Sequence, residues 1–372
     1  MADLLHFTFF GRRTAKTVVA ALKKDFSRRL LDWFAENRRD LPWRETRDPY
    51  RIWVSEIILQ QTRVDQGMPY YHAFLKRFPT VRVLAKATEQ EVLRAWQGLG
   101  YYSRARNMHR CARTVVRDHN GIFPATYEGL LELPGIGEYT AAAIASICHD
   151  AHSAVVDGNV YRVLARVFGI DTAINSPAGK KTFRQLADSL LPERSPGDYN
   201  QALMEFGALQ CTPKNPGCDD CPFSRSCIAN SRGIQTGLPV KLPPRPRKTR
   251  YLYYLVLRKG EKIAMRKRLA GDIWEGLHDF PHVESAEPLT ARALSKSFLA
   301  VAGFAAKTRA VTTIRHQLTH QELIAEFHMA EVEAGRPAPK GTEFHTPTSI
   351  GKLPKPVHIV RFLEEIQHNH PA

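Results

Sequence analysis

No apolar run in this 372-residue sequence approaches the roughly 18–20 consecutive residues of a membrane-spanning helix. The opening MADLLHFTFFGRRTAKTVVAALKK carries its charges after its apolar stretch, the reverse of a bacterial signal peptide. Both absences lead us to expect a cytoplasmic protein with a short N-terminal extension, residues 1–25. No internal repeat and no long low-complexity tract is present, which argues against a repeat array. Acid is the scarcer charge. Asp plus Glu number 37 against 53 Lys plus Arg, a formal net charge of +16. Such an excess favours a polyanionic partner, because neutralised phosphates release counterions. Nucleic acid fits that description, with general solubility as the bland alternative. Cysteine is sparse as well, six in all, and four of them fall between Cys211 and Cys227. Cys111 and Cys148 stand alone in expected helices and read as buried thiols. One tight cluster excludes a disulfide framework and suggests metal.

The length suggests two domains, at about 100–200 residues each. From Phe26 to about Ala229 apolar residues recur at helical spacing, as in FSRRLLDWFAE, YRIWVSEIIL, EQEVLRAWQGLG, YTAAAIASIC and NVYRVLARVFGI. Strand-like alternation is scarce there, so an all-α region of about 200 residues is predicted. A proline-rich basic stretch, GLPVKLPPRPRKTR, follows and reads as an extended linker. Beyond it, YLYYLVLRKGEKIAMRKR predicts two strands around a Lys259-Gly260-Glu261 turn. TARALSKSFLAVAGF predicts a helix and LIAEFHMAEVEA a further strand, so the C-terminal part is α+β.

The cluster reads Cys211-x6-Cys218-x2-Cys221-x5-Cys227. Structural zinc usually takes two separated pairs, one per knuckle. Here one CxxC pair is flanked by single cysteines, and four thiolates are also the usual ligand set of an iron–sulfur cluster. The spacing favours iron–sulfur over zinc. Upstream, Leu133-Pro134-Gly135-Ile136-Gly137 joins two expected helices through a tight turn, and the helix that follows offers free backbone N–H groups to a phosphate. Asp157, in VVDGNVYRVLAR, precedes a strong helical run. It reads as an N-cap or as a carboxylate aimed into a cleft beside the hairpin. SEIILQQT sets Glu56 in an apolar run, with Ile52, Trp53, Leu59 and Gln60 as its helical neighbours. Burial against them would raise its pKa.

SEIILQQT (55–62), GLGYYSRARN (98–107), LPGIGEYTAAAI (133–144), VDGNVYRVLAR (156–166) and the four-cysteine loop occur in an order and spacing that resembles the helix-hairpin-helix DNA glycosylases. Within that superfamily the chain is similar to the adenine DNA glycosylases of MutY type. The related endonuclease III branch carries a lysine in the hairpin helix where Tyr139 stands here, and normally lacks a C-terminal domain like 249–369. The resemblance implies an all-α helix-hairpin-helix glycosylase domain over 26–230 with an iron–sulfur loop at 211–227. A linker, 231–248, and an α+β Nudix-like domain, 249–369, would follow. It implies one 4Fe-4S cluster on Cys211, Cys218, Cys221 and Cys227. The partner would be double-stranded DNA containing A:8-oxoguanine or A:G mispairs, bound by a monomer with no membrane association.

Excising adenine needs an acid to protonate the leaving base and an anion beside the cationic sugar. By resemblance Glu56 is the acid and Asp157 the stabilising carboxylate, with Asn159 orienting and Tyr139 bridging. Leu41, Trp43 and Arg44 would line the adenine pocket. Gln61 would enter the base stack, with Gln60 and Thr62 in support. Tyr101 would wedge from the other side, and Gly135 and Gly137 would carry the phosphate-binding hairpin. Gln201 stands where several relatives carry glutamate. Arg106, Arg110, Arg113 and Arg117 recur at helical spacing and read as one basic face tracking the DNA backbone, with a solvated face as the alternative. WEGLHDFP (274–281) resembles the start of a Nudix module, but no acidic Nudix box follows, which argues against pyrophosphate hydrolysis. Leu318, Thr319 and His320 match the family's Phe-Ser-His lesion-recognition loop in kind, with leucine in place of the aromatic.

Overall fold

The computed structural model describes residues 12–369 other than Arg245, Asp272 and Thr319. The helices are α1 (Arg12–Asn37), α2 (Pro49–Leu59), α3 (Val64–Arg77), α4 (Val81–Lys86), α5 (Glu89–Ala95), α6 (Ser103–Asp118), α7 (Tyr127–Leu131), α8 (Glu138–His149), α9 (Gly158–Phe168), α10 (Pro177–Leu190), α11 (Pro196–Leu209) and α12 (Ile228–Arg232). Strands β1 (Lys248–Lys259), β2 (Lys262–Lys267), β3 (His278–Asp279) and β4 (His282–Ser285) lead to α13 (Ala291–Ala302). Strands β5 (Arg309–Gln317), β6 (Gln321–Glu331) and β7 (Glu343–His345) then precede α14 (Pro347–Lys352) and α15 (Val357–Asn369). Among the described residues no helix is long and apolar enough to cross a membrane. Helix α1 already covers the described residues from Arg12, ahead of the expected domain start at Phe26.

The chain divides into two compact units, Met1–Gln60 with Ile122–Pro243 and Gln61–Gly121 with Pro244–Ala372. In the first, α1, α9, α10 and α11 share a core in which Phe26 stacks on Phe223 at 4.8 Å and Trp33 meets Phe206 edge-on at 4.9 Å. Local signals set the helix ends. Ser176 caps α10 by accepting from Gly179 N–H, with Pro177 in the first turn, and Gly169 closes α9 at φ 65°. Helix α11 reaches its neighbours because two positions lack a side chain. A Cβ at Gly197 would lie 2.5 Å from Ser146 O, and one at Gly207 would lie 2.6 Å from Asn159 Cβ. Buried Asn200 of α11 accepts from Val155 N–H (3.0 Å) and donates to Ser146 Oγ (2.9 Å) and Ser153 O (2.8 Å). The leading half of the expected linker belongs to this unit. Leu238 is buried in its core, and Asn175 exchanges hydrogen bonds with both backbone groups of Leu242.

In the second unit seven strands form a mixed sheet of order β3-β2-β1-β6-β5, with β4 on β1 and β7 on β2. β1 and β6 run parallel, while β1–β2 is the predicted hairpin. Strand β1 is buried on both faces. Leu252, Tyr254 and Val256 face α15 through Ile359, Phe362 and Leu363. Tyr253, Leu255 and Leu257 face α13 through Leu294 and Phe298. That period of two is what an extended chain dictates. Helices α3 to α6 join this unit. Gln90 Nε2 donates to Gly276 O (2.9 Å) and Tyr102 Oη to Lys355 O (3.2 Å). Arg106 donates to Glu275 O at 2.7 Å and pairs with its carboxylate at 3.4 Å. Arg106 is therefore engaged inside the unit rather than standing in the expected basic face of α6. Arg117 pairs with Asp118 on the same helix.

Asn200→Leu keeps the branched shape of the side chain but strands the Val155 N–H and the Ser153 carbonyl. It is expected to lower unfolding free energy in urea titration by about 2–4 kcal/mol. A loss below about 0.5 kcal/mol, the scale of a neutral surface change, would show that these bonds do not hold α11 in place.

Candidate active site and cysteine-lined loop

Helix α2 starts on Asp48, which accepts from Tyr50 N–H (2.9 Å), and on Pro49. From Ile52 to Ile58 every residue is buried, Glu56 among them at 8 % exposure. Helix α8 packs against α2 and brings Tyr139, whose hydroxyl donates to Glu56 Oε2 at 2.5 Å and lies 3.4 Å from Met204 Sδ. Burial pushes the Glu56 carboxyl up to about 7, against the pull of the Tyr139 hydroxyl and with a smaller push from Asp157. The apolar neighbours read from the sequence thus do raise this acid.

Asp157 caps α9. It accepts from Val160 N–H (2.8 Å) and from Asn159 Nδ2 (2.9 Å). Burial is the largest influence on its carboxyl and shifts it above the ordinary value, although the Val160 and Asn159 N–H groups oppose that. A helix N-terminus favours the charged carboxylate. Desolvation at a half-buried site outweighs it. Asn159 is itself held, since its Oδ1 accepts from Arg162 at 2.8 Å. Arg162 continues to Gly207 O (2.6 Å) and Cys211 O (2.8 Å). Glu56, Tyr139, Asp157 and Asn159 thus fall in one site of one unit, and Glu56 and Tyr139 both feel the charge of Asp157.

A third acid escaped the sequence reading. Glu205 of α11 is 2 % exposed and pairs with Arg39 (2.6 Å) and Arg44 (2.9 Å). Burial alone would raise its pKa, but the two guanidinium groups win and hold it at about 2. The signal was present, because LMEFG sets an acid in an apolar run as SEIIL does. Arg44 also lies over the Phe34 ring (5.2 Å), and beside it Leu41 and Trp43 are buried. At the hairpin, Gly135 takes φ 78°, a left-handed turn that favours glycine, while Gly137 is an extended N-cap of α8. Gln60 Nε2 donates to Thr140 Oγ1 (3.3 Å). Gln61 is exposed at φ 59°, and Thr62 is half-buried. In the second unit Tyr101 is 47 % exposed at φ 47°, with the Arg104 guanidinium 5.6 Å from its ring centre. Tyr101, Leu318 and His320 line one cleft, and Thr319 lies outside the described residues.

Cys211, Cys218, Cys221 and Cys227 line a single cavity of the first unit together with Arg166 and Gln235. N–H donors face three of the sulfurs. Arg166 Nη1 lies 3.4 Å from Cys211 Sγ, Phe223 N 3.4 Å from Cys221 Sγ and Gln235 Nε2 3.9 Å from Cys218 Sγ. Among the described residues no three His, Cys, Asp or Glu side chains form a group that could hold a metal ion.

Residues 54–192 match the family profile of the HhH-GPD superfamily base excision DNA repair proteins, and residues 253–365 match the NUDIX domain. The chain is 38% identical over 259 residues to the adenine DNA glycosylase of Buchnera aphidicola subsp. Baizongia pistaciae, covering 69% of this chain and 73% of that protein. It is 44% identical over 230 residues to the adenine DNA glycosylase of Rattus norvegicus, covering 59% of this chain and 44% of that one. Among solved structures, a thermostable thymine-DNA glycosylase superposes with a TM-score of 0.54 at 32% identity, covering 58% of this chain and 99% of its own.

The Glu56 carboxyl ties stability to pH with a definite sign. Its folded pKa, about 7, exceeds the ordinary 4.5, so the folded state binds the proton more tightly. This contribution is fully present below 4.5 and is lost as pH rises to 7. Glu56→Gln fixes the neutral form. It is expected to match the parent near pH 4 and to exceed it by about 3 kcal/mol above pH 8 in denaturant titrations. Equal stabilities at pH 8 would mean that Glu56 carries no raised pKa.

Proposed function

The chain belongs to the adenine DNA glycosylase family and is a DNA glycosylase, and from that premise we propose that it hydrolyses the N-glycosidic bond of adenine mispaired with 8-oxoguanine or guanine. The observation that carries this reading is the buried Glu56 carboxyl, near pKa 7, beside a second carboxyl, Asp157. With Oε2 accepting from Tyr139, Oε1 carries the acidic proton. Glu56 gives that proton to N7 of the adenine. The C1′–N9 bond breaks, its electron pair leaves with the base, and C1′ becomes oxocarbenium-like. Ionised Asp157, fixed by Val160 N–H and Asn159, offsets the positive charge. Water then adds at C1′ and gives its proton to the Glu56 carboxylate, restoring the acid. Adenine and an abasic site are the products. Tyr139 in the hairpin helix offers no amine for a Schiff base, which supports hydrolysis without strand cleavage.

Reaching N7 requires the nucleotide to leave the duplex, at a cost of a few kcal/mol. Gln61, flanked by Gln60 and Thr62, and Tyr101 are the residues we assign to filling the gap. The Gly135–Gly137 hairpin grips phosphate. Leu41, Trp43 and Arg44, the last held by Glu205, shape the adenine pocket. Leu318, Thr319 and His320 read the oxidised guanine. The four-cysteine cavity fits one 4Fe-4S cluster. Four thiols around one cavity, faced by N–H donors, suit a cluster that takes one thiolate per iron. The single CxxC pair flanked by lone cysteines, rather than two separated pairs, supports the cluster over zinc. Such a cluster would supply loop rigidity and no step of the hydrolysis.

Single-turnover adenine release from A:8-oxoguanine, A:G and A:T duplexes tests this reading, with the fastest release expected opposite 8-oxoguanine. Glu56→Gln is expected to slow release by about 10²–10⁴-fold. The parent rate should fall as pH rises through about 7, where Glu56 loses its proton. Unchanged release in Glu56→Gln would remove the acid from the mechanism, and efficient borohydride trapping on an abasic duplex would point to a lyase. Elemental analysis is expected to find about four irons per chain in a brown protein. A colourless zinc protein would overturn the cluster assignment.

A further inference from the structure

Trp274 occupies a backbone conformation that its side chain disfavours. Its φ is 64°, in the left-handed region suited to glycine, and a bulky aromatic there is an outlier that the surroundings must impose. Those surroundings are visible. Leu277 N–H donates to Trp274 O at 2.9 Å. Arg268, on the preceding strand side, accepts at its carbonyl from Gly276 N–H (3.0 Å) and donates through Nε to Ile273 O (3.2 Å). Its guanidinium is anchored on buried Asp279 (2.6 Å) and lies 5.6 Å from the centre of the Trp274 ring. The turn is thus clamped on both sides of the strained residue.

The strain places an indole against two imidazoles. Trp274 lies 4.5 Å from His358 of α15 and 6.1 Å from His316 of β5, ring centre to ring centre, and the two imidazoles lie 5.9 Å apart. The three rings form a triangle of tilted pairs. His358 is 1 % exposed, with Nε2 3.0 Å from the Tyr254 hydroxyl, so this corner of the triangle is anchored. Burial lowers the pKa of both His316 and His358, which favours neutral rings that pack without charge repulsion. Trp274 and Leu318 also pack on the same apolar cluster.

His316 is two residues before Leu318, at the foot of the β5–β6 turn. The two flanks of that turn are held differently. On the β6 side, Lys248 N–H donates to His320 O (3.2 Å) and Arg250 to the Gln321 side chain (2.9 Å). On the β5 side, His316 packs against Trp274 and His358, and Leu318 shares an apolar cluster with Trp274. Trp274, His316, Leu318, His320 and Tyr101 all line one cleft.

We propose that Trp274 is a positioning residue for lesion readout, its indole setting the end of β5 at His316 and Leu318 so that the residues between β5 and β6 meet the base opposite the excised adenine. This inference rests on the assignment of Leu318, Thr319 and His320 to reading oxidised guanine. It adds a specificity determinant that lies outside the turn and makes no claim on the chemistry of adenine release.

The test uses the full chain and the ratio of single-turnover adenine release from A:8-oxoguanine to that from A:G. Trp274→Ala is expected to lower this ratio about tenfold, the effect of losing one good aromatic contact. Trp274→Phe, which keeps a ring against the two imidazoles, should hold the ratio within about threefold of the parent. A merely structural tryptophan would lower the thermal midpoint and slow both substrates alike, leaving the ratio unchanged, and that result would overturn the proposal. Leu318→Ala and His320→Ala run beside it. If they alter the ratio while Trp274→Ala does not, positioning by Trp274 is refuted and the turn keeps its role. If none of the three alters it, the turn does not read the lesion and the proposal falls with it.

Discussion

The hydrogen bond from the Tyr139 hydroxyl to the Glu56 carboxyl joins two helices at a point where water is nearly absent. Each partner reaches that point for a reason outside itself. Glu56 is carried by a helix whose neighbouring residues are apolar, so its position is fixed by packing and its protonation by the lack of solvent. Tyr139 occupies the first turn of α8, and the left-handed Gly135 two residues before the Gly137 cap sets where that turn begins. Close packing of α11 on α8 depends in turn on Gly197. The acid is an outcome of how three helices are allowed to approach.

Three carboxyls of one unit show how completely partners decide ionisation. Glu56 has a phenol, a neutral donor, and burial lifts it to about 7. Asp157 has two N–H groups, which oppose burial without cancelling it. Glu205 is as buried as Glu56 but meets two guanidinium groups, and it stays near 2. Burial acts in the same direction on all three. Only full opposite charges reverse it, because desolvation of a carboxylate is large and a single neutral hydrogen bond returns a fraction of it. A proton donor and a permanent anion can therefore share one helical unit without exchanging roles.

The sequence carried the helices of 26–229, the β1–β2 hairpin and α13 plainly, because each is written in a local period. It also carried Glu56 as a misplaced acid and Asp157 as a cap. What it did not carry is set by contacts remote along the chain. Glu205 shows the same acid-in-apolar-run pattern as Glu56, yet its function depends on Arg39 and Arg44, more than 160 positions away. Arg106 has the spacing of a basic face that would track DNA, but Glu275, 169 positions away, holds it. The grouping of 61–121 with the C-terminal residues is invisible to a reading that cuts the chain into consecutive pieces. Trp274 shows no local sign of strain, since nothing in WEGL announces a left-handed backbone.

Helix α9 ties the cysteine-lined loop to the carboxyl that caps it. Arg162 and Arg166 are one turn apart, so both point along the same face. Arg162 bonds Asn159 at one end and the carbonyl of Cys211 at the other. Arg166 is buried and reaches the carbonyls of Thr212 (2.7 Å) and Pro213 (2.9 Å) as well as the Cys211 sulfur. Backbone carbonyls hold both cations along this path, and Arg162 also feels the charge of Asp157. Those carbonyls keep their places only while the loop keeps its shape. Whatever orders the four cysteines therefore also fixes Arg162, then Asn159, and through it the orientation of Asp157. Under the proposed role of Asp157, the loop would matter to hydrolysis without touching DNA or the reacting sugar, because the helix it braces is the one that Asp157 begins.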